Sequence, residues 1–187
     1  MNREDWLIQI INAALSGGKE ILEVYNSDFA VETKDDKSPL TEADKRANNA
    51  IMEALAITGL TVLSEEGRAI PFEERKNWSQ FLMVDPLDGT KEFVKRNGEF
   101  TVNIALIKNQ RPILGFIFVP AKSELYFSTR EIGAFKVAVD LENFDFEKLL
   151  SNADKLPIQR EDKTFTVVAS RSHMSPETEL YVQKMRD

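Results

Sequence analysis

The sequence predicts an α+β domain with a largely antiparallel sheet, and two observations support this fold class. Apolar residues recur at helical spacing over residues 4–25 and 41–57. Alternating apolar runs with brief turns between them then follow at residues 101–107, 113–119, 124–128 and 134–139. Strands joined by such short turns pair antiparallel, because parallel pairing needs a long crossover. We therefore expect two helices followed by an antiparallel meander.

The connecting elements follow from local signals. Gly59 ends the second helix, and residues 60–64 form a short strand that leads into two glutamates. The charged stretch at residues 34–39 is a predicted loop, and a second apolar strand begins at Phe81. A short helix over residues 91–95 is predicted to precede the meander.

Three further elements are predicted after the meander. Residues 140–155 are acidic and have a helical pattern, and residues 164–169 resemble a last strand. Ser175 followed by Pro176 predicts a helix start, with Ser as the N-cap and Pro at the first helical position. We expect residues 1–165 to form an α+β domain and residues 166–187 to begin an α/β domain that is otherwise absent.

Composition excludes several function classes. The chain has 187 residues and a net charge of −7, which disfavours a nucleic-acid polymer as a partner. It has no cysteine and one histidine, so thiol catalysis and a histidine-rich zinc site are excluded. Any metal site must use oxygen ligands, as Mg²⁺, Mn²⁺ and Ca²⁺ sites do. No membrane span or signal peptide is recognisable, so we expect a cytoplasmic protein, with peripheral association with the inner membrane left open.

The most informative motif lies at the end of the second apolar strand, over residues 84–90. Pro86 fixes its own φ and favours an extended Asp85, so Asp85 and Asp88 are held close together on a stiff turn. Two such carboxylates repel each other unless a cation lies between them. The backbone amides of Gly89, Thr90 and Lys91 then begin a helix, where an anion is favoured. The motif therefore predicts metal-assisted chemistry on a phosphate.

Each of these residues also has a purely structural interpretation. Asp85 and Asp88 are also typical turn formers, and the Glu65–Glu66 pair is also compatible with an exposed acidic loop. Asp44 and Thr90 are compatible with helix caps, and His173 with a surface histidine. Lys91, Lys95 and Arg96 can bind a second substrate phosphate or remain solvated helix charges.

The motifs resemble those of a known family. Glu65–Glu66 followed by Asp-Pro-Leu-Asp-Gly-Thr at residues 85–90 is similar to the inositol monophosphatase-like superfamily of lithium-sensitive phosphatases. The longer run over residues 88–106 resembles the bacterial 3′(2′),5′-bisphosphate nucleotidases, the CysQ-like branch. The resemblance covers nearly the whole chain except the acidic insertion. It implies a layered sandwich of alternating helices and sheets, of the inositol monophosphatase/fructose-1,6-bisphosphatase type.

The resemblance also implies roles for individual residues. Two or three Mg²⁺ ions, with Mn²⁺ as a substitute, would be bound by Glu65, Asp85, Asp88 and the carbonyl of Leu87, and Glu66 would bind a third ion or support the ligands. Asp44 and Thr90 match the pair that activates the attacking water. The substrate would contact Gly89, Thr90, Lys91, Ser170, Arg171, Ser172 and His173.

The implied reaction is hydrolysis of 3′-phosphoadenosine 5′-phosphate to AMP and phosphate, a step of sulfur metabolism and nucleotide recycling. Two alternatives remain open: an inositol or sugar phosphatase of the same fold, and a truncated fragment that binds metal or nucleotide without turnover. The second arises because the family's last metal ligand, an Asp in a Trp-Asp motif, lies beyond the end of this chain. The oligomeric state is also open, with a homodimer among the alternatives.

Overall fold

The computed structural model of the chain describes residues 3–27, 31–33, 39–158, 166–170 and 174–185. Five α-helices and nine β-strands lie in these ranges. In chain order they are α1 Arg3–Tyr25, β1 Val31–Thr33, β2 Pro39–Thr41, α2 Glu42–Leu55, β3 Val62–Ser64, α3 Phe72–Arg75, β4 Gln80–Asp88, α4 Thr90–Val94, β5 Thr101–Lys108, β6 Arg111–Val119, β7 Glu124–Thr129, β8 Gly133–Ala138, β9 Asp154–Lys155 and α5 Pro176–Lys184.

The main sheet has seven strands in the order β3-β4-β5-β6-β7-β8-β9, which is also their order in the chain. Only β3 and β4 pair parallel, and every later pair is antiparallel. The predicted α+β class and its largely antiparallel meander are therefore confirmed. A separate two-stranded hairpin, β1 with β2, was not predicted, because the strands flank the charged segment and are three residues each.

Helices α1 and α2 pack against each other and cover one face of the main sheet, α1 over β5 and β6 and α2 over β4. Alternate strand residues point into this interface and are buried, including Leu82, Ile104, Phe116 and Phe118. Gly18 lets α1 approach the sheet closely, since a Cβ at this position would lie 2.2 Å from the Phe118 ring. The period-two pattern of the strands thus creates the core.

Two predicted helix boundaries agree with the structure. Gly59 has φ 64° and closes the 3₁₀ turn Ala56–Thr58 that extends α2. Ser175 is the N-cap of α5, where its hydroxyl accepts a hydrogen bond from the Thr178 amide at 3.2 Å. Local capping chemistry determined both positions.

The prediction of a helical insertion over residues 140–155 was wrong. Asp140 accepts a hydrogen bond from the Glu142 amide at 2.9 Å, and Asp145 accepts one from the Glu147 amide at 3.0 Å. These side-chain bonds favour local turns over an α-helix. The segment contains only the 3₁₀ turn Phe146–Lys148 and then β9, which pairs with β8.

The predicted strand over residues 164–169 is also not found where the structure describes it. Residues 166–169 are irregular and exposed, and residues 164 and 165 lie outside the described ranges. Val168, for example, is 91% exposed, so the apolar pattern that predicted a strand is not matched by burial.

The chain forms two compact units, Met1–Pro157 and Ile158–Asp187. The first contains both sheets and helices α1 to α4, and the second contains α5. The expected assignment of a metal-binding domain over residues 1–165 and a further α/β domain from residue 166 remains a prediction. Among the described helices, none combines the length and the apolar character needed to cross a bilayer.

Candidate active site

The parallel pairing of β3 with β4 brings Glu65 beside Asp85. Ser64, the last residue of β3, lies opposite Val84 in the ladder. The Glu65 amide then donates a hydrogen bond to the Val84 carbonyl at 3.1 Å. The Glu65 and Asp85 carboxylates therefore lie side by side, one directly after β3 and the other on β4, although they are 20 positions apart in the sequence.

Burial and neighbouring negative charge raise the pKa of the Asp85 carboxyl to about 7. The largest cause is desolvation, followed by repulsion from the carboxylates of Glu65 and Asp88. A hydrogen bond from the Leu87 amide lowers the pKa but does not offset these effects. Among the described atoms, Asp85 Oδ1 has no hydrogen-bond partner although it is buried. A bound cation would stabilise this oxygen and oppose the repulsion.

A β-bulge separates Asp85 from Asp88. Asp85 lies opposite Asn103 on β5, whereas Asp88 lies opposite Thr101, so three steps on β4 match two on β5. Pro86 lies in this bulge, where its missing N–H removes no regular ladder bond. Asp88 is exposed and accepts a hydrogen bond from the Asn103 side chain at 3.4 Å.

The turn after Asp88 depends on Gly89. Its φ is 92°, and a Cβ here would lie 2.8 Å from the Glu99 carbonyl oxygen. The turn begins α4, and the Phe93 amide donates to the Gly89 carbonyl at 2.9 Å. The Thr90 hydroxyl donates to the carbonyl of Leu87 at 3.4 Å. The structure thus brings Thr90 to the same carbonyl that the resemblance assigns to a metal.

The other predicted site residues are distributed as follows. Asp44 is 2% exposed in the first turn of α2. Lys91 is exposed on α4, and Glu66 is half-buried in the turn after β3. Ser170 is exposed in the second compact unit, whereas Arg171, Ser172 and His173 lie outside the described residues.

The Arg96 side chain contacts the C-terminal end of α1. Its guanidinium donates to the carbonyl oxygens of Tyr25 and Ser27, the latter at 2.7 Å, and lies 5.6 Å from the centre of the Tyr25 ring. A cation at the carbonyl end of α1 is favoured by the helix dipole. This contact explains Arg96 without a second substrate phosphate.

A cavity of about 920 Å³ lies on the sheet face opposite the two covering helices. Glu65, Asp85 and Asn103 line one part of it, and Arg75 from α3 also reaches it. Most of the remaining lining is apolar or aromatic and comes from β4 to β8, including Met83, Ala105, Ile117, Tyr126 and Phe135. The carboxylates therefore face a large apolar concavity, which is a common setting for a ligand site.

The oxygen-rich residues fit a hard divalent cation, although the structure does not assemble the predicted ligands around one point. In the described part of the chain, no three carboxylate or imidazole side chains converge closely enough to hold an ion. Asp85 is repelled by both Glu65 and Asp88, and Asp88 also accepts a hydrogen bond from Asn103. The unpartnered Asp85 oxygen is the observation that favours a cation here. The ligand assignment stays a prediction.

Two polar contacts near the site were missed at the sequence level. Asn103 interrupts the apolar pattern on the cavity side of β5, and Ser64 donates a hydrogen bond to Asn48 of α2 at 2.7 Å. Asn103 could have been singled out in the sequence, because a half-buried amide in an otherwise apolar alternating strand needs polar partners. Its partner could not be identified without the β4–β5 register.

Comparisons with known proteins identify the family of this chain. The family model described as the inositol monophosphatase family matches residues 2–184. The chain is 40% identical over 183 residues to the 3′(2′),5′-bisphosphate nucleotidase CysQ of Shigella flexneri, covering 96% of this chain and 69% of the relative. The relative from Haemophilus influenzae with the same name is 38% identical over 139 residues, covering 73% of this chain and 52% of the relative.

A solved structure shows the same fold. The crystal structure of CysQ from Bacteroides thetaiotaomicron, a bacterial member of the inositol monophosphatase family, has a TM-score of 0.84 and 41% sequence identity. The match covers 98% of this chain and 69% of the CysQ chain. The chain therefore belongs to the inositol monophosphatase family.

Proposed function

We propose that this protein is a Mg²⁺-dependent phosphatase that converts 3′-phosphoadenosine 5′-phosphate and water to AMP and inorganic phosphate. The buried, unpartnered oxygen of Asp85, beside Glu65 at the end of β4, is the observation that supports metal-assisted chemistry. The substrate class is supported by the nucleotidase relatives, which are 40% identical over 96% of this chain. The reaction breaks the bond between the ribose 3′-oxygen and phosphorus.

Glu65, Asp85, Asp88 and the Leu87 carbonyl would hold the cations. A bound divalent cation supplies positive charge to the phosphate and lowers the pKa of an attacking water. The raised pKa of Asp85, about 7, means that a proton competes with the cation at this carboxyl. We therefore expect Mg²⁺ affinity to fall as the pH is lowered through 7.

Asp44 and Thr90 would manage the attacking water. The Thr90 hydroxyl would orient the water, and the Asp44 carboxylate would accept the proton that leaves it. A hydrogen bond from the Thr90 hydroxyl to Asp44 would orient this pair. In the structure the hydroxyl donates to the carbonyl of Leu87, a predicted metal ligand, at 3.4 Å, and Asp44 is buried. The backbone amides of Gly89 and Thr90, with Lys91, would bind the phosphate oxygens.

The nucleotide would contact Ser170, Arg171, Ser172 and His173, as the resemblance implies. Arg171 would supply positive charge for the second phosphate, because guanidinium groups bind phosphate in a bidentate manner.

Phosphate release from 3′-phosphoadenosine 5′-phosphate, with and without Mg²⁺, tests the proposal. We expect release that requires the metal, stops with EDTA and resumes with Mg²⁺ or Mn²⁺. Faster release from an inositol phosphate would instead support the second candidate, which the inositol monophosphatase family match favours. Metal binding without release from either substrate would support the binding-only alternative.

Asp85→Asn tests the metal assignment directly. The change removes one charged ligand while keeping the shape of the side chain, so we expect activity to fall by about 10³-fold, the rate equivalent of several kcal/mol of lost charge stabilisation. Asp154→Asn on the exposed strand β9 is the matched control and should retain normal activity. Retained activity in Asp85→Asn would remove this residue from the site.

A further inference from the structure

Asn103 occupies an unusual position on the cavity side of the sheet. It lies directly opposite Asp85 in the β4–β5 ladder, two residues before Ala105 on the same strand face. Its side chain is half-buried, and apart from Asp85 the neighbouring positions on this face of the sheet are apolar: Met83, Ala105 and Ile117. A primary amide in such surroundings is unfavourable unless its donors and acceptor are used.

Hydrogen bonds at both ends fix the orientation of the Asn103 amide. Its Nδ2 donates to Asp88 Oδ2 at 3.4 Å, and its Oδ1 accepts a hydrogen bond from the Thr101 hydroxyl at 3.3 Å. The Asp88 carboxylate determines which end of the amide faces it, because an ionised carboxylate only accepts hydrogen bonds and therefore needs the NH₂ end. The Thr101 hydroxyl then donates to the amide oxygen. Thr101, Asn103 and Asp88 thus form a chain of two hydrogen bonds beside the bulge that separates Asp85 from Asp88.

We propose that Asn103 is a positioning residue for Asp88, and this inference rests on the proposed role of Asp88 as a metal ligand. The amide occupies one carboxylate oxygen of Asp88 and leaves the other for a cation. Carboxylates that bind metals are commonly held by such hydrogen bonds, whose removal costs about 10–100-fold in metal affinity. Asn103 acts through Asp88 and does not touch the reacting phosphate.

Mn²⁺ binding measured by electron paramagnetic resonance tests the inference without any turnover. We expect Asn103→Ala to weaken Mn²⁺ binding about tenfold. Asn103→Ser, which keeps a shorter donor, should restore part of the affinity. Thr101→Val leaves Asn103 in place and should weaken binding less than Asn103→Ala. Asn143→Ala, which removes an amide that donates to Asp140 at 3.2 Å away from the cavity, is the matched control and should bind normally.

A double variant separates positioning from a general structural role. In an Asp88→Asn background, adding Asn103→Ala should cause little further loss, because the two residues act as one unit. A full tenfold loss in that background would overturn the inference, and so would normal Mn²⁺ binding by Asn103→Ala. Thermal melting in EDTA identifies a variant that fails to fold. If Asn103→Ala does not fold, the Mn²⁺ affinities of Asn103→Ser and Thr101→Val test the inference, and normal affinity in both would overturn it.

The outcomes distinguish the inference from the proposed function. Normal binding by Asn103→Ala together with lost binding by Asp88→Asn overturns the role of Asn103 and leaves the phosphatase proposal intact. Absence of Mn²⁺ binding by the unmodified protein overturns both, since Asp88 would then have no cation to bind.

Discussion

The two faces of the seven-stranded sheet have opposite characters. On the face covered by α1 and α2, alternate residues such as Phe116 and Phe118 are at most 1% exposed. On the other face, Met83 is 45% and Ile117 is 46% exposed, and both line the cavity beside Glu65 and Asp85. Because successive strand residues point to opposite faces, each strand contributes to both regions.

This difference shows how one strand can stabilise the fold and build a site. In β4, Leu82 and Val84 are buried under the helices, while Asp85 lines the cavity. A carboxylate on the covered face would lose its hydration without a partner, whereas on the open face it can meet a cation and a substrate. The covered face should therefore determine stability, and the open face should determine chemistry.

The largest expected difference is between adjacent residues of β6. Phe118→Ala should lower the free energy of unfolding by about 3–5 kcal/mol, because it leaves a cavity under α1. Ile117→Ala should lower it by about 1 kcal/mol, mostly through the weaker strand preference of alanine. Urea denaturation of both variants measures the contrast. Equal losses would mean that the open face is packed as tightly as the covered one.

A smaller effect is expected at the turn that ends β4. Gly89→Ala should cost about 3 kcal/mol, since a positive φ and a Cβ contact with the Glu99 carbonyl both oppose it. Gly59→Ala is the matched control, because its φ is 64° but no atom lies within 4 Å of the added Cβ. This control should cost about 1 kcal/mol. Similar costs in thermal and urea melts would show that the turn can move away from Glu99.

The smallest effect concerns pH. The folded pKa of Asp85 is raised from 3.8 to about 7, so between these values the folded state holds a proton that the unfolded chain has released. Stability of the metal-free protein should therefore fall as the pH rises from 4 to 7, by on the order of 1–2 kcal/mol after allowance for solvent screening.

Asp85→Asn should remove this part of the pH dependence and make the metal-free protein more stable at pH 8. Urea denaturation in EDTA at pH 5 and pH 8 compares the two proteins. An unchanged difference between the two pH values would show that Asp85 does not carry the effect. The same variant should lose activity, so stability and function would change in opposite directions at this residue.

Much of the molecule could be predicted from local patterns. Alternation and short turns predicted β5 to β8, and Ser175 with Pro176 predicted the start of α5. The composition and the Asp85–Asp88 spacing predicted an oxygen-ligand site. The predicted helix over residues 140–155 was wrong, because Asp140 and Asp145 bond to nearby amides and compete with helical hydrogen bonds.

The sequence by itself determined the two long helices, the alternating strands β5 to β8 and the motif that ends β4. Only the tertiary structure decided which distant groups meet: Glu65 with Asp85 through the parallel strand pair, Asn103 with Asp88 across the bulge, and Arg96 with the end of α1. The physical reason is the distance along the chain over which each interaction acts. Turns, caps and periodicity depend on neighbours along the chain, whereas burial, charge repulsion and ladder register depend on residues brought together by folding.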